Sequence, residues 1–186
     1  YNGISERGYV LSVSEFNFSA GILLYRTNTA GVIEAAFQLR DNLPGWGQAG
    51  IGARQGNETM LECAMRETSE ETNYPVYEQA HRIRYLMGTR GFYAHNGARV
   101  EDSDFFILDV GDFPLEQKGE GVALEFFPLT TSGLPANMFS YTRSVMHYAI
   151  DCLDTATGDF RCRPETKEDA YRLPLTYHSP YHDFVR

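Results

Sequence analysis

The stretch from residue 58 to residue 72 most strongly constrains how this chain can fold, because its pattern defines a helix with one apolar face. The apolar stripe recurs at i, i+3, i+4 and i+7 and comprises Leu61, Ala64, Met65 and Thr68. Asn57 precedes the stretch as a candidate N-cap, and Pro75 beyond it prevents the helix from continuing. The sequence therefore predicts an amphipathic helix that packs on a sheet.

Strand-like segments lie on both sides of this helix. They cover residues 18–25, 32–39, 82–87, 105–110 and 124–129, and a second helix is expected at 141–153. Because strands and helices are interleaved, the pattern predicts an α/β (α+β) class with a mixed sheet. The length of 186 residues suits a single domain, 1–186, with its core at about 15–153 and a C-terminal extension at about 154–186.

The charge balance restricts the classes of partner. The chain carries 16 Lys and Arg against 25 Asp and Glu, a formal net charge of −9. Binding to nucleic acid without sequence preference depends on basic residues that neutralise phosphates, so we expect no broad nucleic-acid surface. No apolar run reaches the length that crosses a bilayer, and we expect no membrane partner.

Compartment and redox state stay open at this stage. The chain begins with Tyr1, which we interpret as the start of a processed or trimmed chain, so both a cytoplasmic and a secreted location remain. Cys152 and Cys162 flank a turn-like segment, where a disulfide and two unrelated thiols are both compatible with the spacing.

Three glutamates share one arc of the predicted helix. Glu67, Glu70 and Glu71 stand at i, i+3 and i+4, where like charges oppose helix formation by roughly 0.2–0.5 kcal/mol per pair. Arg66 is the one cation within the helix. A divalent cation such as Mg²⁺ removes the repulsion because it prefers carboxylate oxygens. A solvated acidic face is the alternative, and the spacing alone does not separate the two.

The segment from residue 52 to residue 74 resembles the signature box of the Nudix hydrolases. Six fixed positions match at the required spacing: Gly52, Glu58, Arg66, Glu67, Glu70 and Glu71. Thr68 departs from the pattern where an aliphatic residue is usual, and Asn73 stands in place of the final glycine. The resemblance implies a Nudix fold, with a mixed sheet sandwiched between helices, and Mg²⁺- or Mn²⁺-dependent hydrolysis of a diphosphate linkage.

The resemblance also implies roles for individual residues. Metal ligands are expected from the Gly52 carbonyl and from Glu67, Glu70 and Glu71, with Glu67 as either a ligand or the general base. Arg66 and Glu58 are expected to orient these glutamates. A further catalytic acid is expected downstream. Glu125 is the first candidate and Glu120 the alternate, and a solvated surface acid is the competing interpretation for both.

Basic residues concentrate just after the predicted helix. No acid occurs between residues 79 and 100, and the candidates for binding substrate phosphate are Arg54, Arg82, Arg84 and Arg90. An edge strand with solvated arginines is the alternative. By the resemblance, the substrate is a small phosphorylated molecule: a nucleoside diphosphate derivative, a diphosphoinositol polyphosphate, a dinucleoside polyphosphate or the capped end of RNA.

Two further expectations follow from the same resemblance. The departures at Thr68 and Asn73 favour an alternative in which a Nudix-fold module binds a phosphorylated ligand or a protein partner with little turnover. Residues 18–21 and 66–75 are also similar to Nudix proteins common in fungi, which implies a secreted effector enzyme.

Overall fold

The fold is described from a computed structural model, which covers residues 3–4, 10–11, 16–40, 45–94, 99–119, 121–154 and 156–161. The strands are β1 (Gly3–Ile4), β2 (Val10–Leu11), β3 (Phe16–Thr27), β4 (Ile33–Arg40), β5 (Trp46–Gln48), β6 (Ile51–Ala53), β7 (Arg84–Ala94), β8 (Arg99–Asp109), β9 (Gly121–Pro128), β10 (Leu153–Asp154) and β11 (Asp159–Phe160). The helices are α1 (Met60–Glu71) and α2 (Ser140–Asp151), with a 3-10 helix at Val76–Arg82.

Some sequence-based predictions fall outside this description. They concern Glu120, Cys162, the side chain of Arg90 and the C-terminal extension beyond residue 161. The alternatives for Cys152 and Cys162 therefore stay open. In the described part of the chain, no helix is both long enough and apolar enough to span a membrane.

The central sheet is mixed and has the order β5-β4-β3-β8-β7. Strand β3 runs parallel to β8, whereas β7 is antiparallel to β8 and β4 is antiparallel to β3, β5 and β9. Strands β3 and β4 pair only through residues 25–27 and 33–35. Farther along, β6 pairs with residues 19–21 of β3 and β5 pairs with residues 37–39 of β4. The turn between β5 and β6 therefore lies where β3 and β4 diverge.

A helix covers each face of the sheet. Alternate residues of β3 enter two different cores, as expected for a strand buried on both sides. Ile22 and Leu24 pack in a cluster with Cys63 of α1, whereas Leu23 packs in a second cluster with Met146 of α2. The predicted class, a mixed sheet sandwiched between helices, is confirmed.

Helix α1 begins two residues later than its sequence pattern indicates. The N-cap is Thr59, whose hydroxyl accepts a hydrogen bond from the backbone N–H of Glu62, while the Glu62 carboxylate accepts one from the backbone N–H of Thr59. This reciprocal pair satisfies two backbone donors at the helix end, which a lone Asn57 cap does not. The prediction of Asn57 as the N-cap is wrong, and Glu58 lies outside the helix.

Candidate active site

Arg66 joins the loop before α1 to the first glutamate of the cluster. Its Nε and Nη2 donate to the two carboxylate oxygens of Glu58 at 3.1 and 2.7 Å, a bidentate pair. Its Nη1 donates to Oε1 of Glu67 at 2.8 Å, and Nη2 also donates to the carbonyl of Ala53 at 2.9 Å. The hydrogen bonds from Arg66 lower the pKa of Glu58 to about 2. Arg66 therefore contacts both Glu58 and Glu67, and its role as a positioning residue stays a prediction.

Glu67 lies directly against the backbone of Gly52. A Cβ placed on Gly52 would overlap the carboxylate of Glu67, so only glycine permits this approach. The Glu67 side chain is only 13% exposed. The carbonyl of Gly52 accepts a hydrogen bond from the thiol of Cys63 at 3.4 Å, and burial raises the pKa of that thiol to about 12. The structure therefore brings together two of the predicted ligands, Glu67 and Gly52.

Glu71 is held by the turn between β5 and β6. Its Oε2 accepts a 2.6 Å hydrogen bond from the backbone N–H of Gly50, and its Oε1 lies 3.3 Å from Nη2 of Arg40. The side chain is 12% exposed, and burial raises its pKa to about 7, with the nearby charge of Glu67 acting in the same direction. Glu70 differs because its side chain is 55% exposed and makes only long contacts with Arg66, at 3.3 and 3.4 Å.

The two departures from the family pattern are accommodated locally. Thr68 is fully buried, and its hydroxyl donates to the carbonyl of Ala64 at 2.8 Å, so the extra polar group has a partner within the helix. The Asn73 side chain accepts a hydrogen bond from the N–H of Glu116 and donates one to the carbonyl of Pro114. Asn73 therefore fastens the segment after β8 to the end of α1, a contact that glycine cannot make.

Two of the predicted phosphate-binding arginines lie far from the glutamates. Arg84 donates to Asp159 and to the hydroxyl of Tyr25, both at 2.8 Å, and Arg82 donates to the carbonyl of Asp109. On β3, Tyr25 is five residues from Ala20, the register partner of Gly52. That separation corresponds to about 16 Å along a strand. This placement does not favour phosphate binding by Arg82 or Arg84.

Arg54 lies nearer to the glutamates than Arg82 and Arg84 do. It follows β6 directly and is exposed, with its guanidinium 4.4 Å from the ring centre of Phe18. Its backbone N–H donates to the carbonyl of Phe18, which continues the pairing of β6 with β3. Its predicted role in phosphate binding stays a prediction.

Glu125 is exposed on β9, where it is the register partner of Phe37. Phe37 belongs to the core on the α2 side of the sheet, whereas the glutamates of the box lie on α1, which packs against the other side. The structure does not bring Glu125 together with the glutamates of α1. Its catalytic role stays a prediction that this placement does not favour.

One residue beside the site had no signal in the sequence. Arg40 ends β4 and contacts Glu71 across 31 positions of the chain. Only the tertiary structure brings these two residues together, and no local pattern encodes their contact.

The ligand atoms that these residues offer are of the type that a hard divalent cation prefers. Carboxylates from α1 and the carbonyl of Gly52 are the oxygen ligands that Mg²⁺ and Mn²⁺ prefer. Within the described residues, no three His, Cys, Asp or Glu side chains already stand in an arrangement that could hold a metal. Glu67 is paired with Arg66, and Glu71 is paired with Gly50 and Arg40.

The chain has a mixed sheet between two helices. The β5–β6 turn and the glutamate-bearing helix α1 lie where strands β3 and β4 diverge. This architecture defines the class of the protein. The chain belongs to the NUDIX domain family, whose sequence model matches residues 16–149. No curated protein sequence matches the chain significantly.

Solved structures of Nudix proteins have the same fold. The chain is similar to a Nudix hydrolase from M. smegmatis, RenU, with a TM-score of 0.59, 17% identity, and coverage of 88% of this chain and 99% of that one. It is also similar to a MutT/nudix family protein from Enterococcus faecalis, with a TM-score of 0.58 and 15% identity over 75% of this chain. The match spans 63% of the Enterococcus protein's length.

A third similar structure is the E. coli dihydroneopterin triphosphate pyrophosphohydrolase, with a TM-score of 0.54 and 18% identity over 72% of this chain and 94% of that one. Identities this low show the fold alone. None of these likenesses bears on the expected secreted-effector role, which stays a prediction.

Proposed function

We propose that this protein is a Mg²⁺- or Mn²⁺-dependent hydrolase that cleaves a diphosphate linkage in a small, nucleotide-like phosphorylated substrate. The observation that carries the proposal is the approach of Glu67 and Glu71 to the backbone of the β5–β6 segment, at Gly52 and Gly50 respectively. Four carboxylates, those of Glu58, Glu67, Glu70 and Glu71, share two arginines, Arg66 and Arg40. The surplus negative charge is one that a divalent cation can offset.

The contacts of each residue are the basis for its proposed role. Glu67, Glu70 and the carbonyl of Gly52 are the proposed metal ligands, with Glu71 beside them. When bound, the metal supplies polarisation of the phosphoryl oxygens and charge stabilisation in the displacement reaction. Arg66 and Glu58 fix the direction of Glu67 through their shared hydrogen bonds. The exposed Glu70 is the ligand most free to turn toward a substrate.

Arg40 is the proposed contact for substrate phosphate. Its guanidinium lies 3.3 Å from Glu71, and its side chain is 30% exposed, so it has donors left for a second partner. Its fork of N–H groups matches phosphate oxygens. Arg40 therefore replaces Arg82 and Arg84 as the leading candidate for binding substrate phosphate. The proposed substrate class includes both a capped RNA end and a free nucleotide.

The proposal is tested by a substrate panel assayed with Mg²⁺ and with Mn²⁺. The panel comprises nucleoside diphosphate derivatives, dinucleoside polyphosphates, a diphosphoinositol polyphosphate and capped RNA. Glu67→Gln, Glu70→Gln and Glu71→Gln are each expected to lower kcat/KM by about 100-fold or more. Glu116→Gln, at an exposed loop position, is the matched control. Wild-type rates in the three variants would overturn the proposal.

The alternative is a module that binds a phosphorylated ligand without turnover. The accommodation of Thr68 and Asn73 favours the enzyme, because neither departure disturbs a carboxylate of the site. Tight binding of a panel member with no hydrolysis under either metal would establish the alternative instead.

A further inference from the structure

The C-terminal end of helix α1 is closed by a segment that is distant in the chain. The carbonyl of Thr68 accepts a hydrogen bond from the backbone N–H of Thr72, but the last carbonyls of a helix lack donors within the helix. A helix end is often closed by a residue in the left-handed region, whereas the C-cap Thr72 is extended, with a φ of −136°. Donors come instead from residues 114–118, which follow β8 and which we call the 114–118 segment.

Lys118 supplies two of these donors. Its backbone N–H donates to the carbonyl of Glu71 at 2.9 Å, and its Nζ donates to the carbonyl of Ser69 at 3.3 Å. Gly119, the next residue, lies so close to the helix that an added Cβ would be 2.8 Å from the carbonyl oxygen of Glu70. Residues 118 and 119 therefore contact the backbone of the last three residues of α1, and two of these three carry glutamates of the site.

The side chain of Asn73 connects the same segment to the residues that follow the helix. Its Oδ1 accepts a hydrogen bond from the backbone N–H of Glu116 at 2.8 Å, and its Nδ2 donates to the carbonyl of Pro114 at 3.0 Å. The backbone N–H of Asn73 also donates to the carbonyl of Glu116 at 3.3 Å. Because one amide bonds a donor and an acceptor two residues apart, it fixes both the direction of the segment and its register against α1.

We propose that Asn73 is a positioning residue for Glu70 and Glu71, and that it acts through the 114–118 segment. Both glutamates are in the last turn of α1, where helices fray most readily. The Glu70 side chain is 55% exposed and makes only long contacts with Arg66, so its position depends mainly on the backbone that carries it. The inference rests on the proposed function, in which Glu70 is a metal ligand with Glu71 beside it.

The test compares Asn73→Ala with Asn28→Ala, a matched control at the opposite end of β4 from Arg40. Asn28 lies in the turn between β3 and β4, where its Oδ1 accepts hydrogen bonds from the backbone N–H groups of Ala30 and Val32 at 2.9 and 3.0 Å. Each substitution therefore removes two exposed hydrogen bonds between a side chain and the backbone. Both are expected to lower the Tm by a similar amount, about 2–4 °C.

Two readouts without substrate separate positioning from a merely structural role. In the metal-free protein, Asn73→Ala is expected to speed hydrogen exchange of the backbone N–H groups of Glu116 and Lys118 about tenfold. Mn²⁺ alone is then titrated, with the free ion measured by electron paramagnetic resonance, and its Kd is expected to rise about tenfold. Asn28→Ala is expected to change neither quantity. Asn73→Gly, which removes the same side-chain bonds and permits any backbone conformation, is expected to behave like Asn73→Ala.

Failure of this inference is distinguishable from failure of the proposed function. A wild-type protein that hydrolyses panel substrates, together with Asn73 variants that keep its Mn²⁺ affinity despite a lowered Tm, would overturn the inference alone. An equal loss of Mn²⁺ affinity in Asn28→Ala would also overturn it, because the effect would then follow stability. A wild-type protein that binds Mn²⁺ through an end of α1 sensitive to Asn73, but hydrolyses nothing, supports the inference and contradicts the proposed function. A wild-type protein that binds no Mn²⁺ contradicts both.

Discussion

The backbone N–H of Gly50 donates a 2.6 Å hydrogen bond to Oε2 of Glu71, which ties the β5–β6 turn to the last residue of helix α1. The bond joins two segments that are 21 residues apart in the chain. Because Gly50 lies between β5, which pairs with β4, and β6, which pairs with β3, the sheet itself fixes the direction of this carboxylate. The activity of the site is therefore expected to be sensitive to the backbone of the turn.

Gly50→Ala is expected to destabilise the protein by about 2–4 kcal/mol. Gly50 has a φ of +72°, which costs roughly 1–2 kcal/mol for any residue with a Cβ. The new Cβ would also lie 2.7 Å from the hydroxyl of the buried Thr68. Gly31→Ala is the matched control, because Gly31 has a φ of +80° and nothing within 4 Å of the added Cβ. Urea denaturation measures both, and equal losses would show that the Thr68 contact relaxes without cost.

Gly52→Ala is expected to reduce activity more than stability. The added Cβ would displace the carboxylate of Glu67, the flexible end of a side chain, so the helix can persist while a proposed ligand moves. We expect kcat/KM to fall about tenfold or more and the free energy of unfolding to change by less than about 1 kcal/mol.

Gly56→Ala is the control for Gly52→Ala, because it is expected to lower stability and retain activity. Gly56 has a φ of +53° and open space around the added Cβ, so stability is expected to fall by about 1 kcal/mol while kcat/KM is retained. Parallel losses of activity and stability in both variants would contradict the role given to Gly52.

Arg40→Ala is expected to raise KM, whereas Arg84→Ala is expected to lower stability and leave kcat/KM unchanged. Loss of Arg40 is expected to raise KM about tenfold or more, because a charge-assisted hydrogen bond to phosphate contributes about 1.5–3 kcal/mol. Loss of Arg84 is expected to leave kcat/KM unchanged. It removes a partly exposed ion pair with Asp159 and a hydrogen bond to Tyr25, so stability is expected to fall by about 1 kcal/mol. Steady-state kinetics and thermal unfolding distinguish the two, and a raised KM in Arg84→Ala alone would return the phosphate site to β7.

Glu58 is expected to make stability depend on pH in the acid range. Arg66 lowers the pKa of Glu58 in the folded protein to about 2, below its ordinary value of 4.5. The unfolded chain therefore takes up the proton first, so the contribution of Glu58 is fully present above about pH 4.5 and is lost as the pH falls toward 2.

The comparison of wild type with Glu58→Gln measures this contribution. The difference in free energy of unfolding is expected to be largest at pH 6 to 7 and to shrink steadily below about pH 4.5. Glu78→Gln, at an exposed position of the 3-10 helix, is the control and is expected to show no such trend. A difference that stays constant down to pH 3 would mean that the pair with Arg66 does not depend on the charge of Glu58.

The elements that have a local period were predictable from the sequence. Strands β3, β4 and β9 and the two helices lie within a few residues of their predicted bounds, because the two-residue and 3.6-residue periods of apolar positions show which side of an element is buried. Strand β8 begins at Arg99, six residues before the predicted start at 105. The start of α1 was missed by two residues, since the pattern did not show that Thr59 and Glu62 form a capping box. The resemblance to the Nudix family was likewise visible in one continuous segment, residues 52–74, within the 16–149 that the family model matches.

The contacts between distant segments needed the tertiary structure. The acid-free stretch after α1 indicated a phosphate site, yet the register of β7 with β8 places Arg84 beside Tyr25 and Asp159, far from Gly52. The fold instead places Arg40, at the end of β4, 3.3 Å from Glu71.

By itself, the sequence determined the helix, its glutamates and the glycine that admits Glu67, because these lie within one loop and one helix whose geometry is local. Which arginine contacts Glu71 and on which face of the sheet Glu125 lies were decided only by strand order and register. Those properties arise when residues far apart in the chain pair across the sheet, and a one-residue shift of register would turn each side chain to the other face.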